Sequence, residues 1–185
     1  MGGVEIAAAL LGIINVVLVV RRSTWNYPFG IAMVTLYFFV FAHAKLYSDA
    51  LLQIFFFVIQ LYGWWAWYHA AHVDHGVEVR WLDWKERLAW LAATVVAIVI
   101  WGTGMARLTD AAAPYVDATT AGLSVAAQFL QSLRRVESWI LWICVDLIAL
   151  GLFTWRGLYV TTGLYALFLV LSVIGLIQWR AKVHR

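Results

Sequence analysis

Charged residues are scarce in this sequence. Only 12% of its 185 residues are Asp, Glu, Lys or Arg, whereas 64% are hydrophobic and the mean hydropathy is +0.83. A water-soluble domain carries about 25% charged and about 45–50% apolar residues, so this composition excludes a soluble globular protein. Cysteine is almost missing as well, because Cys144 stands alone and excludes a disulfide framework or a cysteine metal site. Cys144 lies within an apolar block, and we predict that it packs in the core.

Chemically distinctive tracts are also missing. The net charge is +3, but the basic residues occur in ones and twos between apolar blocks, which argues against a nucleic-acid partner. His69, His72 and His75 have no carboxylate or thiol in register, so we interpret them as a solvated helix end. Neither a metal nor a cofactor is expected. Without paired carboxylates or a nucleophile elbow, a membrane-embedded enzyme is only a remote alternative.

The hydrophobic residues that dominate the chain fall into seven blocks. Each block is close to the ~20 residues that cross ~30 Å of hydrocarbon. We therefore predict an all-α integral membrane protein with seven transmembrane helices in one domain, residues 1–185. The fifth block is the least apolar, and a soluble amphipathic helix is its alternative. The predicted spans are Val4–Val20, Pro28–Ala44, Ala50–Ala71, Leu88–Leu108, Ala112–Leu133, Trp139–Trp155 and Leu158–Trp179.

Lysine and arginine are concentrated on one side of the predicted membrane. Because cytoplasmic loops are enriched in both residues, we place the N-terminus outside and the C-terminus in the cytoplasm, within a bacterial inner membrane. The one sizeable polar connection, residues 72–87, is then cytoplasmic. On the cytoplasmic side lie Arg21, Arg22, Arg80, Lys85, Arg87, Arg134, Arg135, Arg180, Lys182 and Arg185, against Lys45, Arg107 and Arg156 outside.

The two ends of the chain align with each other without gaps when every residue is shifted by the distance in sequence from Arg22 to Arg134. This shift is called the repeat offset below. It maps the first three spans onto the last three and predicts a 3+1+3 plan. The plan has a first repeat (4–71), a cytoplasmic loop with a linker helix (72–111) and a second repeat (112–179). Parallel repeats place a solute site near the midplane, between the two triplets. Positions matched by the repeat offset include Arg22 and Arg134, Gly63 and Gly175, and Trp67 and Trp179.

Two helical faces combine polar groups with indole rings inside the predicted membrane. One face lies on the third span and the other on the sixth, where residues three and four apart are neighbours. Indole planes with amide and carboxylate ends suit a flat, cationic ring, because aromatic faces attract cations. The candidate substrate-binding residues are Gln53, Gln60, Trp64, Trp67, Trp142 and Asp146.

Structural alternatives exist for these aromatic and polar groups. Tryptophans near span ends are typical of the interfacial belt, and amides often hydrogen-bond neighbouring helices. Asp146 is harder to explain, since a charge at that depth costs about 2.5–3.5 kcal/mol and no span offers a basic partner. We therefore favour a functional role for it. Near the span ends, the predicted belt residues are Trp25, Trp139, Trp155 and Trp179.

Five segments together resemble the PnuC family of vitamin transporters. They are WNYPFG (25–30), KLYSDALLQ (45–53), QLYGWWAW (60–67), ESWILW (137–142) and RGLYV (156–160). The resemblance covers nearly the whole chain and implies a 3+1+3 bundle related to the SWEET sugar transporters, often a homotrimer. It also implies facilitated diffusion of an unphosphorylated vitamin precursor, first of all nicotinamide riboside, which a cytoplasmic kinase then traps.

The resemblance further implies where the solute binds. It places the solute between Gln60, Trp64 and Trp67 on one side and Trp142 and Asp146 on the other. Family members associated with nicotinamide riboside often carry an amide near position 146. The carboxylate of Asp146 therefore leaves thiamine, whose thiazolium is also a cationic ring, as an alternative substrate.

The charge distribution makes a direct prediction about topology. A reporter that is active only in the cytoplasm should be active when it is fused after Arg185, because ten of the thirteen basic residues face that side. The same reporter fused after Lys45 should be inactive. Activity of the second fusion alone would reverse the predicted orientation.

Overall fold

The structure is a computed structural model, and it describes residues 3–43, 47–73, 77–108, 114–155, 157 and 159–183. These residues form seven α-helices, and the only strand-like pairing among them is an isolated bridge between Arg80 and Arg135. The prediction of an all-α protein with seven helices is therefore confirmed. The helices are α1 (Gly3–Val20), α2 (Asn26–His43), α3 (Tyr47–Val73), α4 (Trp84–Leu108), α5 (Pro114–Ser132), α6 (Glu137–Trp155) and α7 (Tyr159–Val183).

Five of the described helices, α1, α3, α4, α6 and α7, are long and apolar enough to cross a membrane. Large apolar side chains are exposed on the outside of the bundle, such as Ile100 of α4, which is 68% exposed. So many exposed apolar side chains would be unfavourable in water and are typical of a surface in contact with lipid. The chain is a multi-pass membrane protein. Membrane crossing by α2 and by α5, which carries Asp117 and Gln128, stays a prediction.

Helices that follow one another in sequence pack together in two groups. In the first, α2 packs between α1 and α3; in the second, α4, α5, α6 and α7 pack in order. Two further contacts, α1 with α7 and α3 with α5, join the groups. Within the described part of the chain, α4 packs along α5 alone, and only its first turn also reaches α6, through the ion pair of Arg87 with Glu137. If α1, α2 and α3 are exchanged for α5, α6 and α7 in order, the α1–α7 contact becomes the α5–α3 contact. These two contacts are therefore equivalent and are called the two junctions below.

Two arginines end α1 and α5 in the same way. Arg22 (φ 56°) and Arg134 (φ 61°) both adopt the left-handed conformation, which is uncommon for a residue other than glycine. After α1, the N–H of Arg22 donates to the carbonyl of Val19 (2.8 Å) and the N–H of Ser23 to that of Leu18 (2.9 Å). This is a Schellman cap, which satisfies carbonyls that the helix leaves free. The same pair of bonds, at 3.0 and 2.8 Å, recurs around Arg134 at the repeat offset.

The connection between α3 and α4 is packed against the bundle where the structure describes it. Val77, Val79 and Leu82 are buried, although the segment around them is polar. Arg80 pairs with the α5–α6 turn through its backbone: its N–H donates to the carbonyl of Arg134 (3.2 Å), and its carbonyl accepts from the N–H of Val136 (3.1 Å). The alternation of residues 77 to 79 turns both valines to the same, inner side.

A capping box sets the start of α4. The N–H of Glu86 donates to Oδ1 of Asp83 (2.7 Å), and the N–H of Asp83 donates to Oε2 of Glu86 (3.0 Å). This reciprocal pair satisfies two free donors of the first turn. As a result α4 begins at Trp84, one turn before the predicted Leu88, because hydropathy registers lipid contact rather than caps.

Two of the four belt tryptophans predicted near the span ends lie inside the bundle instead. Trp25 and Trp155, at 68% and 83% exposed, fit an interfacial position. Trp139 and Trp179 are 1% and 0% exposed, so the prediction was wrong for them. Both side chains are enclosed because they occupy the junction of α1 and α7 with α6.

The expected core position of Cys144 was also wrong, since its side chain is exposed on α6. The buried face of that helix runs through the next residues, Val145 and Asp146, and through Ala149 one turn later. A rotation of about 100° per residue turns Cys144 away from that face. An apolar sequence neighbourhood does not distinguish the core from lipid.

Close packing at the α6–α7 contact predicts the effect of one methyl group. A Cβ at Gly175 would lie 2.6 Å from two atoms of the Trp139 ring, so Gly175→Ala should overpack this contact. We expect the apparent melting temperature in detergent to fall by about 3–10 °C. Gly151→Ala is the control, because nothing lies within 4 Å of its Cβ position; its melting temperature should stay level or rise. Equal losses in both variants would contradict the packing.

Candidate functional site

Two buried tryptophans connect helices across the junctions. Trp67 of α3 is 0% exposed, and its indole N–H donates to the carbonyls of Gln131 (3.3 Å) and Ser132 (3.2 Å) at the end of α5. Trp179 of α7, also 0% exposed, donates in the same way to the carbonyl of Val19 at the end of α1 (3.3 Å). Each indole N–H therefore donates to a carbonyl in the last turn of a facing helix, where carbonyls lack the i+4 N–H donor of the helix interior.

The rings of these tryptophans form a continuous aromatic contact. Their centroids are 5.8 Å apart, while Tyr27 meets Trp67 edge-on at 5.5 Å and Trp139 meets Trp179 edge-on at 5.4 Å. The repeat offset relates position 27 to 139 and position 67 to 179, so one contact recurs at both junctions. Tyr27, Trp67, Trp139 and Trp179 are called the aromatic seam below.

Residues 77–83, called the closing segment below, cover one end of the aromatic seam. Val77 and Val79 belong to the same buried hydrophobic cluster as all four seam residues. A guanidinium N–H of Arg22 donates to the carbonyl of Val77 (2.9 Å), which ties the segment to the end of α1. With Arg80 paired to the α5–α6 turn, the segment is anchored to both helix groups.

Glu137, in the first turn of α6, holds the other end of the closing segment. Its carboxylate accepts the N–H of Leu82 (3.0 and 3.2 Å) and pairs with Nε of Arg87 (2.9 Å). Arg135 lies nearby, with its guanidinium 3.2 Å from Glu86. Burial lowers the pKa of Arg135, and its Nε has no hydrogen-bond partner among the described residues. The carboxylates at 86 and 137 therefore compensate a partly desolvated basic cluster.

A cluster of amides lies inside the first helix group. Gln60 is 4% exposed, and its side-chain oxygen has no hydrogen-bond partner among the described residues. A Cβ at Gly30 would come within 2.8 Å of the Asn15 amide and closer still to that of Gln60, so glycine leaves room for both. Asn15 donates to the carbonyl of Asn26 (2.7 Å), and Gln53 is buried two turns before Gln60. The side-chain oxygen of Gln60 is therefore a buried acceptor left without a partner among the described residues.

A carboxylate lies inside the second helix group. Asp146 is 4% exposed and accepts a hydrogen bond from the hydroxyl of Ser172 (2.9 Å); no described basic residue pairs with it. Trp142, one turn earlier, is half-buried and donates its indole N–H to the side-chain oxygen of Gln131 (2.7 Å). Ser172 and Gln60 each lie two helical turns before their seam tryptophan, so the two clusters occupy similar depths.

The structure distributes the predicted site residues over these features. Gln60 lies in the amide cluster, Trp142 and Asp146 lie together in the carboxylate cluster, and Trp67 belongs to the aromatic seam. Trp64 is 38% exposed and joins none of them. The sequence analysis missed several residues of these features. Two of them could have been found from the repeat offset, which pairs Ser172 with Gln60 and Trp179 with Trp67. The missed residues are Tyr27, Gln131, Ser172 and the seam roles of Trp139 and Trp179.

No group of three or more His, Cys, Asp or Glu residues is placed to hold a metal within the described ranges. His69 and His72 lie at the exposed end of α3, where each ring approaches the backbone carbonyl four residues earlier, at 2.9 and 2.8 Å. His75 lies outside the described residues.

In the described part of the chain, apolar helices enclose amides, indoles and the carboxylate of Asp146, which is the build of a multi-pass membrane protein with a polar interior. Residues 2–181 match the family described as nicotinamide mononucleotide transporter. The chain belongs to this transporter family, and the resemblance to PnuC seen in its motifs is confirmed.

Curated relatives support the same family. The nicotinamide riboside transporter PnuC of Neisseria mucosa is 31% identical over 96% of this chain and 72% of its own. The protein of the same name from Escherichia coli is 28% identical over 95% of this chain and 84% of its own. The riboflavin/roseoflavin transporter RibM of Streptomyces davaonensis is 28% identical over 98% and 86%. Relatives of this chain thus include transporters named for two different vitamins.

A solved structure shares the fold. The crystal structure of the vitamin B3 transporter PnuC superposes with a TM-score of 0.82 at 29% identity, covering 98% of this chain and 82% of that one.

Removing the charge of Glu137 should loosen the closing segment. In Glu137→Gln, the Arg87 ion pair and the charged acceptor for Leu82 are both weakened, so local opening becomes easier. Hydrogen–deuterium exchange of peptides covering 77–83 should become several-fold faster. The control, Glu78→Gln, changes an exposed carboxylate within the same segment and should exchange like the unmodified protein. Unchanged exchange in Glu137→Gln would mean that hydrophobic burial alone holds the segment.

Proposed function

We propose that this protein carries an unphosphorylated vitamin precursor across the bacterial inner membrane by facilitated diffusion, with nicotinamide riboside as the first candidate. The observation that carries the proposal is Asp146, a carboxylate buried beside Trp142 in a membrane-embedded helix of a transporter family member. An intramembrane carboxylate is costly, and its hydrogen bond to Ser172 supplies no opposite charge. A cationic solute would supply that charge.

The proposed architecture is a 3+1+3 bundle, with α1–α3 and α5–α7 as repeats and α4 as the linker. Its support is the recurrence, at the repeat offset, of the arginine caps, the edge-on aromatic pairs and the indole hydrogen bonds. Parallel repeats of this kind carry the solute along the axis between them. Of the described helices, α4 packs along α5 only and meets α6 just at its first turn, through Arg87 and Glu137, so its remaining apolar face is free to meet lipid or the neighbours of a homotrimer.

The solute path in this proposal is closed at the end where the basic residues gather. The aromatic seam and the closing segment fill the axis there, and the positive-inside rule makes that end cytoplasmic. Opening separates α1 from α7 and α3 from α5, so it breaks one set of indole hydrogen bonds at each junction. Interhelical hydrogen bonds in membranes are worth only about 0.6 kcal/mol on average, so this closure is reversible without ATP.

The two polar clusters suggest how a ring-bearing solute would be held. The half-buried ring of Trp142 offers a face for stacking, and Asp146 offers a negative charge one turn away. On the other triplet, the unpartnered oxygen of Gln60 can accept a hydrogen bond from an amide or hydroxyl of the solute. The proposed binding set is Gln53, Gln60, Trp64, Trp67, Trp142 and Asp146. A cytoplasmic kinase would trap the solute, because a phosphate group adds charge that this apolar path disfavours.

Two other vitamins compete for this site. Thiamine also presents a cationic ring to Asp146. Riboflavin is favoured by the similarity to the riboflavin/roseoflavin transporter RibM, but its flat ring is uncharged. Counterflow in liposomes separates these candidates and also tests transport itself. Labelled solute should exchange without ATP or an ion gradient, whereas a membrane-embedded enzyme would alter the solute rather than exchange it.

The charge of Asp146 should select for cationic solutes. Asp146→Asn keeps the shape and a hydrogen-bond acceptor for Ser172 but removes the charge. We expect calorimetry to give about tenfold weaker binding of nicotinamide riboside, with little change for an uncharged nucleoside of similar size. Asp117→Asn, which neutralises an exposed carboxylate of α5, is the control and should bind both normally.

The other outcomes of this comparison are equally informative. Equal losses for the charged and the uncharged ligand would make Asp146 a structural hydrogen-bond acceptor. Unchanged affinity for both would place the solute away from α6 and overturn this half of the site.

A further inference from the structure

A basic groove lies between the ends of α1 and α7, outside the proposed solute path. It has a volume of about 390 Å³ and is lined by Val20, Arg21, Arg22, Gln178, Ala181 and Lys182. Three of its six lining residues are cationic. Within the described part of the chain, neither Arg21 nor Lys182 makes an ion pair, and both are exposed.

Beside the groove, a buried tryptophan joins the two helix ends that form it. Trp179, immediately after Gln178, is fully buried and donates its indole N–H to the carbonyl of Val19, immediately before Val20. Arg22 is held in place by its hydrogen bond to the carbonyl of Val77, which uses one of its five N–H donors. The groove is therefore a formed junction between two fixed helix ends.

The equivalent junction at α5 and α3 shows that the fold does not require these charges. Arg22 has its counterpart in Arg134, and both serve as caps. The positions that match Arg21 and Lys182 at the repeat offset hold Leu133 and Ala70. The position that matches Gln178 holds alanine as well. Two charges and an amide are thus present at one junction and absent from its equivalent.

An exposed apolar ridge leads along α7 to this groove. Val170, Ile174 and Ile177 are 54%, 38% and 62% exposed, and their spacing of four and three residues places them on one helical stripe. Continuing the stripe by four residues reaches Ala181 in the groove wall. A cationic groove at the end of an apolar ridge matches a molecule with an anionic head and a hydrocarbon tail. Soluble phosphate has no apolar part that could contact the ridge.

We propose that this groove binds the phosphate of an anionic phospholipid headgroup, with one acyl chain lying along the α7 ridge. Basic pockets between helices at a membrane surface recognise such headgroups through their phosphate. Arg21 and Lys182 provide the charge, Arg22 and Gln178 add hydrogen-bond donors, and the buried Trp179 keeps the two helix ends at a fixed separation. The proposal is independent of what the protein transports.

Native mass spectrometry of the purified protein with dioleoylphosphatidylglycerol and dioleoylphosphatidylcholine tests the proposal. The unmodified protein should retain the anionic lipid preferentially. The double variant Arg21→Gln with Lys182→Gln should bind it about tenfold more weakly. The matched control, Lys85→Gln with Arg180→Gln, removes two exposed charges from the same side without touching the groove, and should keep the preference. Thermal scans without lipid check that both variants are folded.

Three results would overturn the lipid site. Equal losses in the two double variants would reduce the effect to general surface charge. Equal retention of the two lipids by the unmodified protein would mean that no anionic headgroup is selected. Displacement of the anionic lipid by millimolar inorganic phosphate or glycerol phosphate would assign the groove to a soluble anion.

Discussion

The hydrogen bond from a buried indole N–H to a carbonyl in the last turn of a facing helix holds this bundle together at two places. In lipid, association of apolar helices gains little from the hydrophobic effect, so directional bonds and close packing decide which helices meet. Trp67 and Trp179 supply the bonds, and the glycines at 63 and 175 let Tyr27 and Trp139 approach edge-on. The closing segment packs on this arrangement, because Val77 and Val79 belong to the same buried cluster as all four rings.

The same weakness of polar contacts in membranes makes the junctions suited to movement. Two indole links of about 0.6 kcal/mol on average are small beside the ~8 kcal/mol released by a ligand bound at micromolar affinity. In the proposed transport cycle, a solute would need to favour the open arrangement by only part of that energy to shift the population. The outer attachments of the closing segment, through Glu137 and Arg87, lie closer to water, where screening weakens them further.

The polar interior is divided unequally between the triplets. The first triplet buries neutral amides, whereas the second buries the carboxylate of Asp146 with Ser172 as its donor. At the repeat offset Asp146 matches Val34 and Ser172 matches Gln60, so the repeat preserves the depth of the clusters but not their chemistry. The basic groove shows a similar inequality, because Arg21 and Lys182 have no charged counterpart at the other junction. In both cases, positions matched by the repeat offset carry a charge in one repeat and an uncharged residue in the other.

The sequence by itself determined the helical membrane class, the number of helices and the family, because hydropathy and motif spacing are properties of consecutive residues. The sequence analysis did not locate the start of α4, because the capping box of Asp83 and Glu86 carries no hydropathy signal. Only the tertiary structure decided that Trp139 and Trp179 pack inside, that Cys144 faces outward and that Ser172 meets Asp146. Each of these depends on which helix lies opposite, and lipid and protein interior are equally apolar. A hydrophobic pattern therefore cannot distinguish a lipid-facing side chain from one at a helix junction.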